Sequence, residues 1–210
     1  MALEEKVEWE VAKQDITADE DFSKPDFKAD KDVKKVNLAC GQVKREGYIG
    51  IDSVATAAAD IVHDLYSFPW PFEDDSIYEF TCDHFVEHIP IQLKDGSFGL
   101  IRFMEEVWRC LMPGGTIHIT APYYTSMRAW QDPTHTRAIT DVTFTYFNKP
   151  LVTAMQMDHY SGKCNFEQLS RKYYITPEWE PMAEEARTWA MKHYNNVVAD
   201  IGFVLRKIEL

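Results

Sequence analysis

The chain has 210 residues, 45% hydrophobic and 27% charged, the composition of one globular domain with a sizeable core. Its 22 Lys and Arg stand against 34 Asp and Glu, and the resulting net charge of -12 argues against non-specific nucleic-acid binding and against adhesion to anionic membranes. No stretch approaches the roughly 18 apolar residues of a membrane span, and MALEEKVEWE lacks the basic-then-apolar order of a secretory signal, so the expectation is a cytoplasmic protein. Cys40, Cys82, Cys110 and Cys164 are scattered, with no C-x-x-C pair, and are expected as reduced thiols.

Residues 1–32 hold eleven acidic residues and five lysines, half of the net charge, with no sustained hydrophobic period. They read as an acidic, mostly irregular extension, with a short helix over Leu3–Lys13 and with Trp9, Val11, Phe22 and Phe27 as anchors. Residues 33–210 form the domain proper. Val33–Ala39 and Tyr48–Ile51 read as strands, the first opening into Cys40-Gly41 and the second ending at Asp52; Ala59–Val62 and Ile77–Cys82 follow. Between Phe98 and Leu111 the apolar residues recur at three- and four-residue steps, as in a helix packed on a sheet, and Pro113-Gly114-Gly115 then turns the chain into a strand over Thr116–Ala121. Phe166–Thr176 reads as a strand, Pro181–Val198 as a helix and Phe203–Leu210 as a closing strand.

This alternation predicts an α/β fold, an open and mostly parallel sheet with helices on both faces. Only six residues separate Gly41 from Tyr48, too few for a full helix, so the loop after the first strand is short. Ligands of such sheets bind at the carboxyl ends of the strands. That rule selects Cys40-Gly41, Asp52, Asp64, Asp83-His84 and Pro122-Tyr123-Tyr124. A small-residue turn allows close approach to the backbone, and an acid closing the next strand can accept two hydrogen bonds from a ribose diol. Asp64 can receive an exocyclic amine and Leu65 can offer its backbone N–H to a ring nitrogen. Taken singly, each of these residues also fits a plain turn or a strand-end cap.

The ordered series VNLACG, GYIGID, DIVHDL, PWPFEDDSIYEF, HFVEHI, EEVWRCLMPGG and IHITAPYY resembles the class I S-adenosylmethionine-dependent methyltransferases, over about Val36–Tyr124. It is most similar to a small branch with an E-H-I segment after the fourth strand and a P-G-G turn before the fifth; APYY and DPTHTR also resemble phage-borne predicted methyltransferases. The resemblance implies a Rossmann-like, seven-stranded sheet in the order 3-2-1-4-5-7-6 with the last strand antiparallel. It implies S-adenosylmethionine as cofactor and S-adenosylhomocysteine as product. Asn37, Leu38, Ala39, Cys40 and Gly41 would line the methionine and ribose portions, Asp52 the ribose hydroxyls, Asp64 and Leu65 the adenine, and Asp83 and His84 the sulfonium end.

Two further groups carry ionisable side chains. His84-Phe85-Val86-Glu87-His88 matches the H-x-x-E-H order of inverted zinc peptidases, but the sequence places no third protein ligand, so no metal site is expected; hydrogen bonds from Glu87 and His88 to neighbouring loops are the plainer role. Asp132-Pro133-Thr134-His135-Thr136-Arg137 follows Tyr123, Tyr124 and Trp130, where an acceptor would be held. His135 is the candidate general base, Asp132 its orienter and Arg137 a partner for an anionic acceptor, although the same residues also suit turn capping and loop bridging. Amino-methylating DNA enzymes carry [N/D/S]-P-P-[Y/F/W] where this chain has Cys82-Asp83-His84-Phe85, so the expected acceptor is a small molecule rather than duplex DNA. The alternatives are an S-adenosylmethionine-binding protein without turnover, a zinc hydrolase, and an NAD-dependent oxidoreductase whose G-x-G-x-x-G the chain lacks.

Overall fold

The computed structural model describes residues 34–157 and 162–210. The acidic segment 1–32 with its anchors, and His159, lie outside the described residues.

Seven strands form one sheet: β1 (Lys34–Leu38), β2 (Ile49–Asp52), β3 (Ile61–Val62), β4 (Ile77–Asp83), β5 (Leu111–Pro122), β6 (Phe166–Ile175) and β7 (Val198–Lys207). Their order is β3-β2-β1-β4-β5-β7-β6, and β7 runs antiparallel to both of its neighbours. The helices are α1 (Gly99–Cys110), α2 (Arg128–Gln131), α3 (Lys149–Ala154) and α4 (Glu184–His193), with 3-10 turns at Val86–His88 and Thr143–Phe147.

Because the strand order reverses direction at β1, right-handed crossovers place the β1–β2–β3 connections on one face and the β3–β4–β5 connections on the other. On the second face, rows such as Val36, Phe80, Ile117 and Leu205 lie side by side, and next to them Leu38, Cys82, Ile119 and Phe203. Trp70 from the β3–β4 connection packs edge-on against Phe80 and against Phe103 of α1, and Phe144 packs on Phe203. α1 forms because Phe103, Met104, Val107 and Cys110 fall on one side of a 3.6-residue period; all four are buried.

The opposite face is polar. Lys35, Glu79, Thr116, Arg206 and Glu167 form one row, and Asn37, Thr81, His118, Val204 and Ser170 the next. Among the described residues no helix follows β1 or β2, so the expected helices on both faces are unequally shared: α1 and the Thr143–Phe147 turn cover one face, and short connections without a helix run by the other, where Asn37 and Thr81 are still buried.

Several boundaries differ from expectation, among them the start of β3 at Ile61 rather than Ala59 and of α4 at Glu184 rather than Pro181. Pro113-Gly114-Gly115 lies within β5 as a multi-residue bulge, since Ile77 pairs with Leu111 and Glu79 with Thr116; Gly114 is left-handed at φ +78°, and a Cβ on Gly115 would stand 2.9 Å from the Tyr78 carbonyl. α4 stops at His193, and β7 begins at Val198 rather than Phe203. Left-handed Asn196, φ +61°, ends the helical path, and the β-branched pair Val197-Val198 is buried.

Candidate functional site

The carboxyl ends of β1 and β4 carry left-handed backbone: Ala39 at φ +50° and Gly41 at +52° after β1, and His84 at +52° after β4. Two of these are non-glycine residues, the kind of strain that functional loops hold. Gly41 N donates to Asp52 Oδ2 at 2.8 Å, tying the loop after β1 to the end of β2, and Val54 N donates to Asp52 Oδ1 at 3.0 Å. A Cβ on Gly41 would meet nothing within 4 Å, so the loop is open on that side. Asp64 accepts from Tyr66 N at 2.9 Å, with Leu65 buried beside it in the core.

The remaining residues of the expected cofactor strip divide by burial. Leu38 is fully buried, and Cys40 is 4% exposed, its thiol pKa raised first by burial and then by Asp52. Asn37 is also buried; it accepts from the Thr81 hydroxyl at 3.0 Å and donates to Val43 O at 3.3 Å, so its side chain shapes the loop from beneath. Ala39 and Gly41 are the loop residues open to a ligand's approach. Asp83 is exposed and pairs with Arg45 at 2.7 Å. Arg45, which the sequence reading passed over, comes from the short β1–β2 loop and also lies 5.5 Å from the centre of the Tyr48 ring. Its only sequence signal is the Lys44-Arg45 pair where a helix would ordinarily start.

His84 stands at the end of β4, half-exposed, its Nδ1 3.5 Å from Oε1 of Glu87. Its pKa is raised, chiefly by Glu87, against an opposing effect of burial. The α-helix that the H-x-x-E-H order requires is not formed: left-handed His84 precedes a 3-10 turn of three residues. His84 and His88 therefore do not make the helical pair of a zinc peptidase.

The segment Asp132–Arg137 is fixed by bonds that the sequence reading gave as its plainer role. Asp132 Oδ1 accepts from Thr134 N at 2.8 Å and from its hydroxyl at 2.7 Å, an Asx turn. Arg137 Nη2 donates to the carbonyls of Ile89 at 2.6 Å and Pro90 at 3.1 Å, and burial lowers its pKa; these bonds tie this end of the guanidinium to the segment after β4. His135 Nδ1 lies 3.0 Å from Ala129 O, and its ring meets that of His88 edge-on at 4.6 Å. Tyr123 is buried between Tyr124 and Tyr173, and burial first of all raises its phenol pKa. Tyr124 and Trp130 are exposed beside it, joined by the Trp130 indole N–H on Tyr124 O at 2.9 Å. A cavity of about 520 Å³ is lined by Asp75, Trp108, Lys207 and Leu210 at the other end of the strands and takes no part in this group.

No family model and no curated protein matches the sequence. Among solved structures, the chain is similar to an S-adenosylmethionine-dependent methyltransferase from Archaeoglobus fulgidus, with TM-score 0.56 and 15% identity over 83% of this chain and 86% of that one. It is similar too to the 1,6-didemethyltoxoflavin-N1-methyltransferase of Burkholderia thailandensis, solved with its substrate and S-adenosylhomocysteine, at TM-score 0.50 and 10% identity over 83% of this chain and 71% of that one. A geranyl diphosphate C-methyltransferase from Streptomyces coelicolor gives TM-score 0.50 and 11% identity, over 86% and 71%. At such identities the likeness is one of fold. This chain has the Rossmann-like class I methyltransferase fold, with antiparallel β7 inserted between β5 and β6.

Proposed function

We propose that the protein transfers a methyl group from S-adenosylmethionine to a small-molecule acceptor. The Gly41–Asp52 junction at the carboxyl ends of β1 and β2 carries the reading. Two backbone N–H groups occupy the Asp52 carboxylate, which has about four acceptor sites, so it retains capacity for two ribose hydroxyls beside the open side of Gly41. Ala39 and Gly41 would face the ribose and methionine, Asp64 and the Leu65 backbone the adenine, and Asp83 and His84 the sulfonium end. When bound, the cofactor supplies an electrophilic methyl group and leaves as S-adenosylhomocysteine. The chain's own residues hold the two reactants in line at close approach. The inserted antiparallel strand departs from the 3-2-1-4-5-6 order of dinucleotide-binding sheets, which favours this cofactor over NAD.

The β1–β2 loop lacks the helix whose N-terminus would ordinarily attract the cofactor carboxylate. Arg45 supplies that positive charge instead. Replacing Arg45 with Met should weaken S-adenosylhomocysteine binding several-fold and leave methylthioadenosine, which lacks the carboxylate, unaffected. Tyr124 and Trp130 present apolar ring surface on the acceptor side, with buried Tyr123 supporting them, and suit a planar or apolar small molecule rather than duplex DNA.

Calorimetry with S-adenosylhomocysteine tests the reading directly. Binding is expected, and Asp52→Ala should weaken it by at least about 1.5 kcal/mol, because a charge-assisted hydrogen bond is lost. No binding at millimolar ligand would remove the proposal. Binding without turnover of any acceptor would favour a regulatory cofactor-binding protein, the role to which the missing helix points.

A further inference from the structure

We propose that Glu87, His88 and His135 form a binding site for one divalent transition-metal ion of the zinc type. One potential ligand atom from each residue lies within 4.8 Å of the other two. The three come from segments that are already fastened together: Thr136 N donates to Glu87 O at 2.8 Å, and the Thr136 hydroxyl to Ile89 O at 2.6 Å.

The hydrogen bonds around the two rings decide their tautomers. Thr134 Oγ1 gives its single proton to the Asp132 carboxylate, so at 2.8 Å from His88 Nδ1 it can only accept, and His88 carries its proton on Nδ1. Ala129 O is a carbonyl and cannot donate, so His135 too carries its proton on Nδ1. In the neutral form each ring therefore keeps a bare lone pair on Nε2. Metal-ligating histidines are held in this way, by an N–H bond from the nitrogen that does not touch the metal.

Glu87 is an independent observation. Its side chain is 2% exposed, and among the described residues neither carboxylate oxygen accepts a hydrogen bond; the His84 ring, 3.5 Å from Oε1, is its one ion-pair partner. A buried carboxylate with no hydrogen bond and a single long contact to a half-exposed ring is costly, and one ring nitrogen each of His88 and His135 lies close by. A cation among the three offsets that cost. Two imidazoles and a carboxylate suit zinc, cobalt or ferrous iron rather than magnesium or calcium, which prefer all-oxygen sites. Ligand atoms around tetrahedral zinc stand about 3.3 Å apart, so the side chains draw in on binding. Three protein ligands leave one position open to water or to an oxygen-bearing ligand. His135 thus belongs with Glu87 and His88 rather than standing alone as a base.

The test uses the full-length chain, stripped by a chelator and titrated with Zn²⁺ alone and with Co²⁺ alone, read by metal analysis, by the visible absorption of bound cobalt and by thermal melting. One ion per chain and a raised melting temperature are expected. Glu87→Gln, His88→Gln and His135→Gln should each lower affinity by about 100-fold or more. Thr134→Val, on the exposed turn, should lower it by about 10-fold and serves where a ligand variant fails to fold. His193→Gln, on exposed α4, should bind as the wild type does. No stoichiometric zinc or cobalt in the reloaded wild type would overturn the site, as would ligand and Thr134 variants that bind as tightly as it does. Methylation is not measured, so this result and the cofactor reading can fail separately.

Discussion

One face of the sheet is built from Val36, Leu38, Phe80, Ile117 and Ile119 under α1 and Trp70; the other, from the same strands, presents Lys35, Asn37, Glu79, Thr81 and His118. Parallel sheets usually bury both faces under crossover helices. Here the connections after β1 and β2 contain no helix, and apart from Val204 the side chains in the two rows on that face are polar. Connection length and strand alternation therefore agree. Among the described residues the apolar core lies on one side of the sheet, and the other side pairs its own polar groups: Lys35 reaches Glu79 at 3.3 Å, and the Tyr48 hydroxyl donates to Glu79. Burial first, and the Glu79 bond second, push the Tyr48 phenol up to about 12.

Substitutions on the two faces should separate them. Phe80→Ala, beneath Trp70 and Phe72, removes a fully buried ring and should cost about 3–5 kcal/mol in denaturant unfolding; a loss below about 1 kcal/mol would break the distinction. Thr81→Val keeps shape but leaves Asn37 Oδ1 without its donor and should cost about 1–2 kcal/mol, with weaker S-adenosylhomocysteine binding because Asn37 also holds Val43. Lys35→Met, which removes the exposed partner of Glu79 and leaves that carboxylate its bond from Tyr48, should change stability by about 1 kcal/mol or less. His118 gives the smallest and most specific effect. Burial, its largest cause, lowers the His118 pKa from the ordinary 6.5, so the unfolded chain binds the proton more tightly. Stability is full above that value and falls as pH drops below it. Thermal melts of His118→Gln should show less loss below pH 6.5 than the wild type, and parallel pH profiles would remove the assignment.

The alternation K-V-N-L, Y-E-F-T-C and T-I-H-I-T already encodes the two faces, since residues two apart share a side of a strand. The same strings located β1, β4 and β5, and the period of Phe98–Leu111 located α1 to within a residue. β7 was harder, because Val198–Ile201 continues a helix-like run and only Asn196 marks the break. Asp52 and the Gly41 turn were legible from strand-end logic. Arg45 was not, because its partner Asp83 lies 38 residues away on a different strand.

By itself the sequence determined most of the strands, the helix α1 and the acids at the strand ends, because hydrophobic period and turn chemistry are local; the strand order came only from the family resemblance, and α2, α3 and the Thr143–Phe147 turn carried no such signal. The tertiary structure decided which of those residues remain open to a ligand, burying Leu38 and Cys40 and leaving Gly41 bare. It also decided that His135 faces His88 and Glu87 across a gap of 47 residues and more. Burial and ring tautomers depend on what folds against each side chain, and no spacing along the chain carries that information.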